Sequence, residues 1–139
     1  MKFIIECVLV GIYCVLVYFS LYSYKIDNLV ILLLLAGFIK HLFGYLLGIQ
    51  KYYCNCIYFN QPLLILFIEC IIEALLFLSM GLFLYQIIKN KIFLFFAIGV
   101  SLHFLFEIAG LHSFFCMNKC CFDLSASSPC ALASSKYLN

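Results

Sequence analysis

Four apolar runs decide what this chain can fold into: Phe3–Ser23, Leu29–Ile49, Leu63–Ile88 and Ile92–Cys116. Each reaches the roughly 20 residues that an α-helix needs to cross a hydrocarbon layer about 30 Å thick. The runs are continuously apolar, whereas a membrane strand alternates apolar and polar residues over about ten positions. The breaks between them carry turn chemistry. Tyr24-Lys25-Ile26-Asp27-Asn28 and Lys89-Asn90-Lys91 are short charged connections, and Gln50–Pro62 is a longer loop rich in Tyr, Cys and Asn. Short connections make consecutive helices antiparallel neighbours. The expected fold is an all-α integral membrane protein, a four-helix transmembrane up-down-up-down bundle over residues 1–121, with a short flexible tail over residues 122–139. The first run is expected to stay as a span, because Glu6 lies inside it and no A-x-A-like cleavage site follows.

Composition removes the alternatives. Of 139 residues, 68% are hydrophobic and only 10% charged, with a mean hydropathy of +1.19. Folded in water, a chain of this mass would expose about 7,400 Å². Eight basic and six acidic side chains cannot dress that area without leaving very large apolar patches. A net charge of +2 with no arginine argues against a nucleic-acid surface. The expected partners are the lipid bilayer and, for so small a chain, further copies of itself or other membrane proteins. A multi-pass location follows, but which membrane does not. Lys2, Lys51 and Lys119 flank the face shared by the N-terminus, the middle loop and the tail. Lys25, Lys89 and Lys91 flank the other, so the lysine count leaves orientation open.

Ionisable residues inside the runs carry the functional reading. A charge at the centre of a spanning helix costs about 2.5–3.5 kcal/mol on insertion scales and is read as functional by default. Lys40 and His41 lie in the second run, Glu69 and Glu73 in the third, His103 and Glu107 in the fourth. At 1.5 Å per residue, Lys40, His41, Glu73 and His103 are expected within about 3 Å of the midplane. Glu69 and Glu107 are expected a turn nearer the N-terminal face. Glu69 and Glu73 are four apart, as are His103 and Glu107, so each pair shares a helix face. The expected arrangement is a polar track from one face to the bilayer centre. In it Glu73 accepts a proton or cation, Glu69 and Glu107 form the mouth, His41 and His103 relay, and Lys40 biases the carboxylates. Carboxylates and imidazoles are the usual elements of membrane proton relays.

Two glycine stripes accompany the histidines. Gly37, His41, Gly44 and Gly48 lie along one face of the second run, and Gly99, His103, Glu107 and Gly110 along one face of the fourth. Small residues let membrane helices approach closely, so Gly37, Gly44, Gly48, Gly99 and Gly110 are expected at helix contacts. Mid-span histidines on nonadjacent helices, with glycines beside them, resemble those of membrane b-type cytochromes. That resemblance implies His41 and His103 as axial ligands of haem b, although the neighbouring Lys and Glu residues depart from the pattern. A divalent metal on Glu69, Glu73, His103 and Glu107 is a further alternative.

Six of the nine cysteines lie at or beyond the N-terminal face. Among them Cys54, Cys56, Cys116, Cys120 and Cys121 suit disulfides if that face is oxidising, or palmitoylation if it is cytosolic. No C-x-x-C, P-loop or dinucleotide fingerprint occurs, so an enzyme is not the leading expectation. Proton, cation or small-solute handling leads. A structural or assembly subunit, in which the buried charges only fix packing, is the alternative, with haem or metal binding third.

Overall fold

The polar breaks in the sequence are where the helices stop and start. The computed structural model describes residues 2–54, 62–111 and 116. Over these it forms α1 (Lys2–Tyr22), α2 (Leu29–Leu46), the short α3 (Ile49–Tyr53), α4 (Leu63–Tyr85) and α5 (Lys91–Ile108), with no strand among the described residues. All but α3 are long and apolar enough to cross a membrane. Cys56, Cys120, Cys121 and the tail 122–139 lie outside the described residues.

Asparagine opens two of the helices. The Asn28 side chain accepts from the backbone N–H groups of Val30 (2.9 Å) and Ile31 (3.3 Å) at the start of α2. Asn90 accepts from Phe93 N–H (3.1 Å) at the start of α5. Each satisfies donors that have no partner inside the first helical turn. Glycine ends the same two helices. Gly48 (φ +70°) and Gly110 (φ +67°) adopt the left-handed conformation that side-chain-bearing residues avoid. Their N–H groups bond to the carbonyls of Tyr45 and Glu107, each at 3.0 Å. The stripe pattern assigns both glycines to helix packing, but a Cβ at either would meet nothing within 4 Å. They are helix stops. This is why the second helix ends at Leu46 rather than Ile49, and why α5 ends at Ile108 rather than running on to Cys116. The third ends at Tyr85, short of Ile88.

The long helices associate as two main pairs. α1 lies chiefly against α5 and α2 against α4, while narrower α1–α2 and α4–α5 contacts join the pairs. Within each pair the matched residues run in opposite order. Phe3 meets His103, Gly11 meets Gly99, and Tyr18 meets Phe95. Likewise His41 meets Glu69, Gly37 meets Ala74, and Leu33 meets Gly81.

Both pairs are seamed by glycine at backbone distance. A Cβ on Gly99 would stand 2.9 Å from Gly11 Cα and 2.7 Å from Cys14 Sγ. A Cβ on Gly37 would stand 2.7 Å from Ala74 Cα and 2.9 Å from the Glu73 carbonyl oxygen. Small residues are what allow apolar helices to come this close. Gly44 differs, because its nearest neighbour is the Gln50 side chain at 3.8 Å, an ordinary contact.

Most of the fully buried large side chains lie toward the end that carries the α1–α2 and α4–α5 connections. There Leu33, Phe77, Leu94, Phe95 and Ile98 are fully buried. The Phe95 ring sits 4.8 Å from Tyr18 and 5.6 Å from Phe77, centroid to centroid. Outward faces stay apolar: Ile4, Leu9 and Leu16 on α1 and Leu64, Phe67 and Ile72 on α4 are exposed.

The two glycines of α2 should therefore respond in opposite ways to one added methyl. Gly37→Ala forces α2 away from the α4 backbone and should cost about 1–3 kcal/mol. Gly44→Ala has room and gains helix propensity, so it should be neutral or stabilising by up to about 1 kcal/mol. Thermal melts of the two variants in detergent, followed by circular dichroism, check the contrast.

Candidate functional site

Gly37 brings α2 onto α4, and the next turn of α2 delivers the polar side chains. Lys40 forms a salt bridge with Glu73, both side chains being largely withdrawn from the surface. One residue on, His41 Nε2 lies 3.3 Å from Glu69 Oε2. Glu69 and Glu73 are a turn apart on α4, and so present both carboxylates to the adjacent Lys40 and His41. A third helix touches the cluster, because Tyr13 of α1 donates its hydroxyl to the Lys40 carbonyl oxygen at 2.9 Å.

The left-handed turn at Gly48 then folds the chain back. It carries Gln50 of α3 to α2, where its amide nitrogen lies 3.2 Å from His41 Nε2 and donates to the His41 carbonyl oxygen at 3.4 Å. One ring nitrogen thus faces both a carboxylate and an amide. Nε2 holds a proton or a lone pair in the ring plane, not both. Protonated, it donates to Glu69; deprotonated, it accepts from Gln50.

The second cluster belongs to the other pair. Glu6 of α1 meets His103 and Glu107 of α5, with one donor atom from each lying within 4.8 Å of the other two. All three side chains are half-buried. The Phe3 ring stacks on His103 at 6.4 Å between centroids, 28° from parallel.

The structure therefore sorts the residues singled out in the sequence by helix pair. Lys40, His41, Glu69 and Glu73 come together between α2 and α4. His103 and Glu107 lie between α1 and α5, with a partner, Glu6, that the single-track reading did not include. The two histidines considered as haem ligands each have carboxylates of their own at hand. Among the glycines, Gly37 and Gly99 line helix seams, Gly44 borders Gln50, and Gly48 and Gly110 end helices. Cys54 and Cys116 are joined in a disulfide across 62 positions of sequence, with Cα atoms 5.2 Å apart.

Sequence reasoning passed over Glu6, Gln50, Tyr13 and Gly11. Glu6 carried a usable signal, since a carboxylate inside an apolar run needs a partner. Gln50 carried none, because only the turn at Gly48 brings it back to His41.

The Lys40–Glu73 pair should behave as two charges that depend on each other. Glu73→Gln leaves Lys40 buried without its counter-charge and should cost about 3–5 kcal/mol of stability, whereas the double change Lys40→Met with Glu73→Leu should recover most of it. Denaturation of the single and double variants in matched detergent measures both.

Compared with models of known families, with curated proteins and with solved structures, the chain matches none.

Proposed function

We propose that this chain is a multi-pass membrane protein whose long helices form an up-down-up-down transmembrane bundle, and that its α2/α4 cluster exchanges protons in ion or small-solute handling. The apolar outward faces of α1 and α4 support the membrane setting, since they suit lipid rather than water. At the end of α4, the Lys89 ammonium lies 4.4 Å from the centre of the Tyr85 ring, a pairing suited to a membrane interface.

One observation carries the proton-exchange reading: His41 Nε2 stands between Glu69 and Gln50, which favour opposite protonation states of that nitrogen. A proton moving on or off His41 switches its hydrogen-bond partner with no helix movement. Proton access is from the α3 end, because the buried Leu33, Phe77, Phe95 and Ile98 close the interior between the cluster and the other end. Passage of a solute or ion to the far face therefore requires a second arrangement of the helices.

The packing reading has its own support. Lys40 engages Glu73 of α4 through its ammonium and Tyr13 of α1 through its carbonyl, which joins three helices at one residue. The two readings part on Glu69. Proton exchange expects Glu69→Gln, reconstituted in sealed liposomes, to lose about a hundredfold or more in proton flux, the low end for removing a proton-transferring group, while melting as wild type does. Wild-type protein that is folded yet shows no proton or cation flux, in either orientation, leaves the packing reading in possession.

The Cys54–Cys116 disulfide supports an orientation that the lysines leave open. Disulfides persist in oxidising compartments, so the end bearing α3 faces the lumen or the exterior. A membrane-impermeant reductant applied from that side should open the bond, shown by an electrophoretic shift that Cys54→Ser and Cys116→Ser each mimic. Failure of the impermeant reagent, with success of a permeant one, would reverse the orientation.

A further inference from the structure

We propose that Glu6, His103 and Glu107 form a binding site for a divalent transition-metal ion of the zinc class, held between α1 and α5. The site is distinct from the His41–Glu69 pair and lies in the other helix pair.

Its construction begins at the glycine seam. Gly11 and Gly99 bring the two backbones together. Glu6 is five residues from Gly11 toward the start of α1, and His103 is four from Gly99 toward the end of α5. In helices running in opposite directions these are matching heights, so the two side chains meet. Glu107, one turn beyond His103, shares its face and brings a second carboxylate to the same spot. The Phe3 ring stacks beside the imidazole.

The donor set selects the ion. Imidazole with carboxylates suits zinc and its first-row neighbours, whereas magnesium and calcium take oxygen ligands in larger number. In a tetrahedral zinc site, ligands about 2.1 Å from the metal stand about 3.4 Å from one another. The three donors already lie within 4.8 Å of each other, so small side-chain rotations suffice to close them on an ion. Three protein ligands leave a fourth position for water or a small anion.

The test uses the full chain, purified in detergent, stripped by chelator and titrated with Co²⁺ as a spectroscopic probe. The expected result is about one Co²⁺ per chain, with the visible bands of a four-coordinate nitrogen and oxygen site, displaced by Zn²⁺. Glu6→Gln and Glu107→Gln should each weaken binding by at least about tenfold, while Glu69→Gln binds as wild type does. Three results would overturn the proposal. One is folded wild type without the visible bands; another is Glu6→Gln binding as tightly as wild type. The third is an intense near-ultraviolet sulfur-to-cobalt band, which would put the ion on cysteines. The wild-type spectrum decides even if a variant fails to fold.

Discussion

A charge among apolar side chains has to find its counter-charge on a neighbouring helix, and side-chain reach sets how near that helix must stand. The remaining architecture of this chain follows from that constraint. Lys40 meets Glu73 where Gly37 brings α2 against the α4 backbone. Glu6 approaches His103 beside the seam made by Gly11 and Gly99. Shape and charge depend on each other here. The glycines set the separation at which the ionisable groups can pair, and the pairing favours one register among the many that a Leu, Ile and Phe surface permits.

The two ends of the bundle consequently differ in what holds them. Toward the α1–α2 and α4–α5 connections the interior is aliphatic and aromatic, and it coheres by dispersion between well-fitted side chains. Toward α3 the ion pairs and hydrogen bonds of Lys40, His41, Glu69 and Gln50 take over. The first kind of contact resists any change of shape. The second is directional, and one nitrogen of His41 faces two partners. Polar pairing and apolar packing thus concentrate toward opposite ends of the same four helices.

The elements were legible in the sequence because apolar runs and charged breaks are local signals. The runs locate all the long helices, and the connection at residues 24–28 falls between α1 and α2, whereas that between α4 and α5 begins before residue 89 and Lys91 already belongs to α5. Two helix ends were misjudged for one reason. Gly48 and Gly110 fit a packing stripe by spacing, and only their backbone angles identify them as stops. The polar residues were visible too, but height along a helix says nothing about which helix stands beside it. Glu6 is therefore a partner only once α1 is known to lie against α5, a contact that spans most of the chain. Lys40 and His41 of α2 could by height have met Glu69 and Glu73 or His103 and Glu107, and only the contact of α2 with α4 decides between them.

The pairing of the helices is nested: α2 with α4 on the inside, α1 with α5 on the outside, like one bracket within another. During synthesis α2 and α4 are complete before α5 exists, so they can join while the ribosome is still at work. α1 is made first, yet its main partner is made last among the long helices. At translation rates of about 5–20 residues per second, α1 waits on the order of ten seconds for that partner. Through that interval Glu6 has neither His103 nor Glu107 beside it, and the Gly11 surface has nothing to pack on. Until then the inward face of α1 lacks the helix it packs on, which makes the first helix the most exposed to error while the chain is assembling.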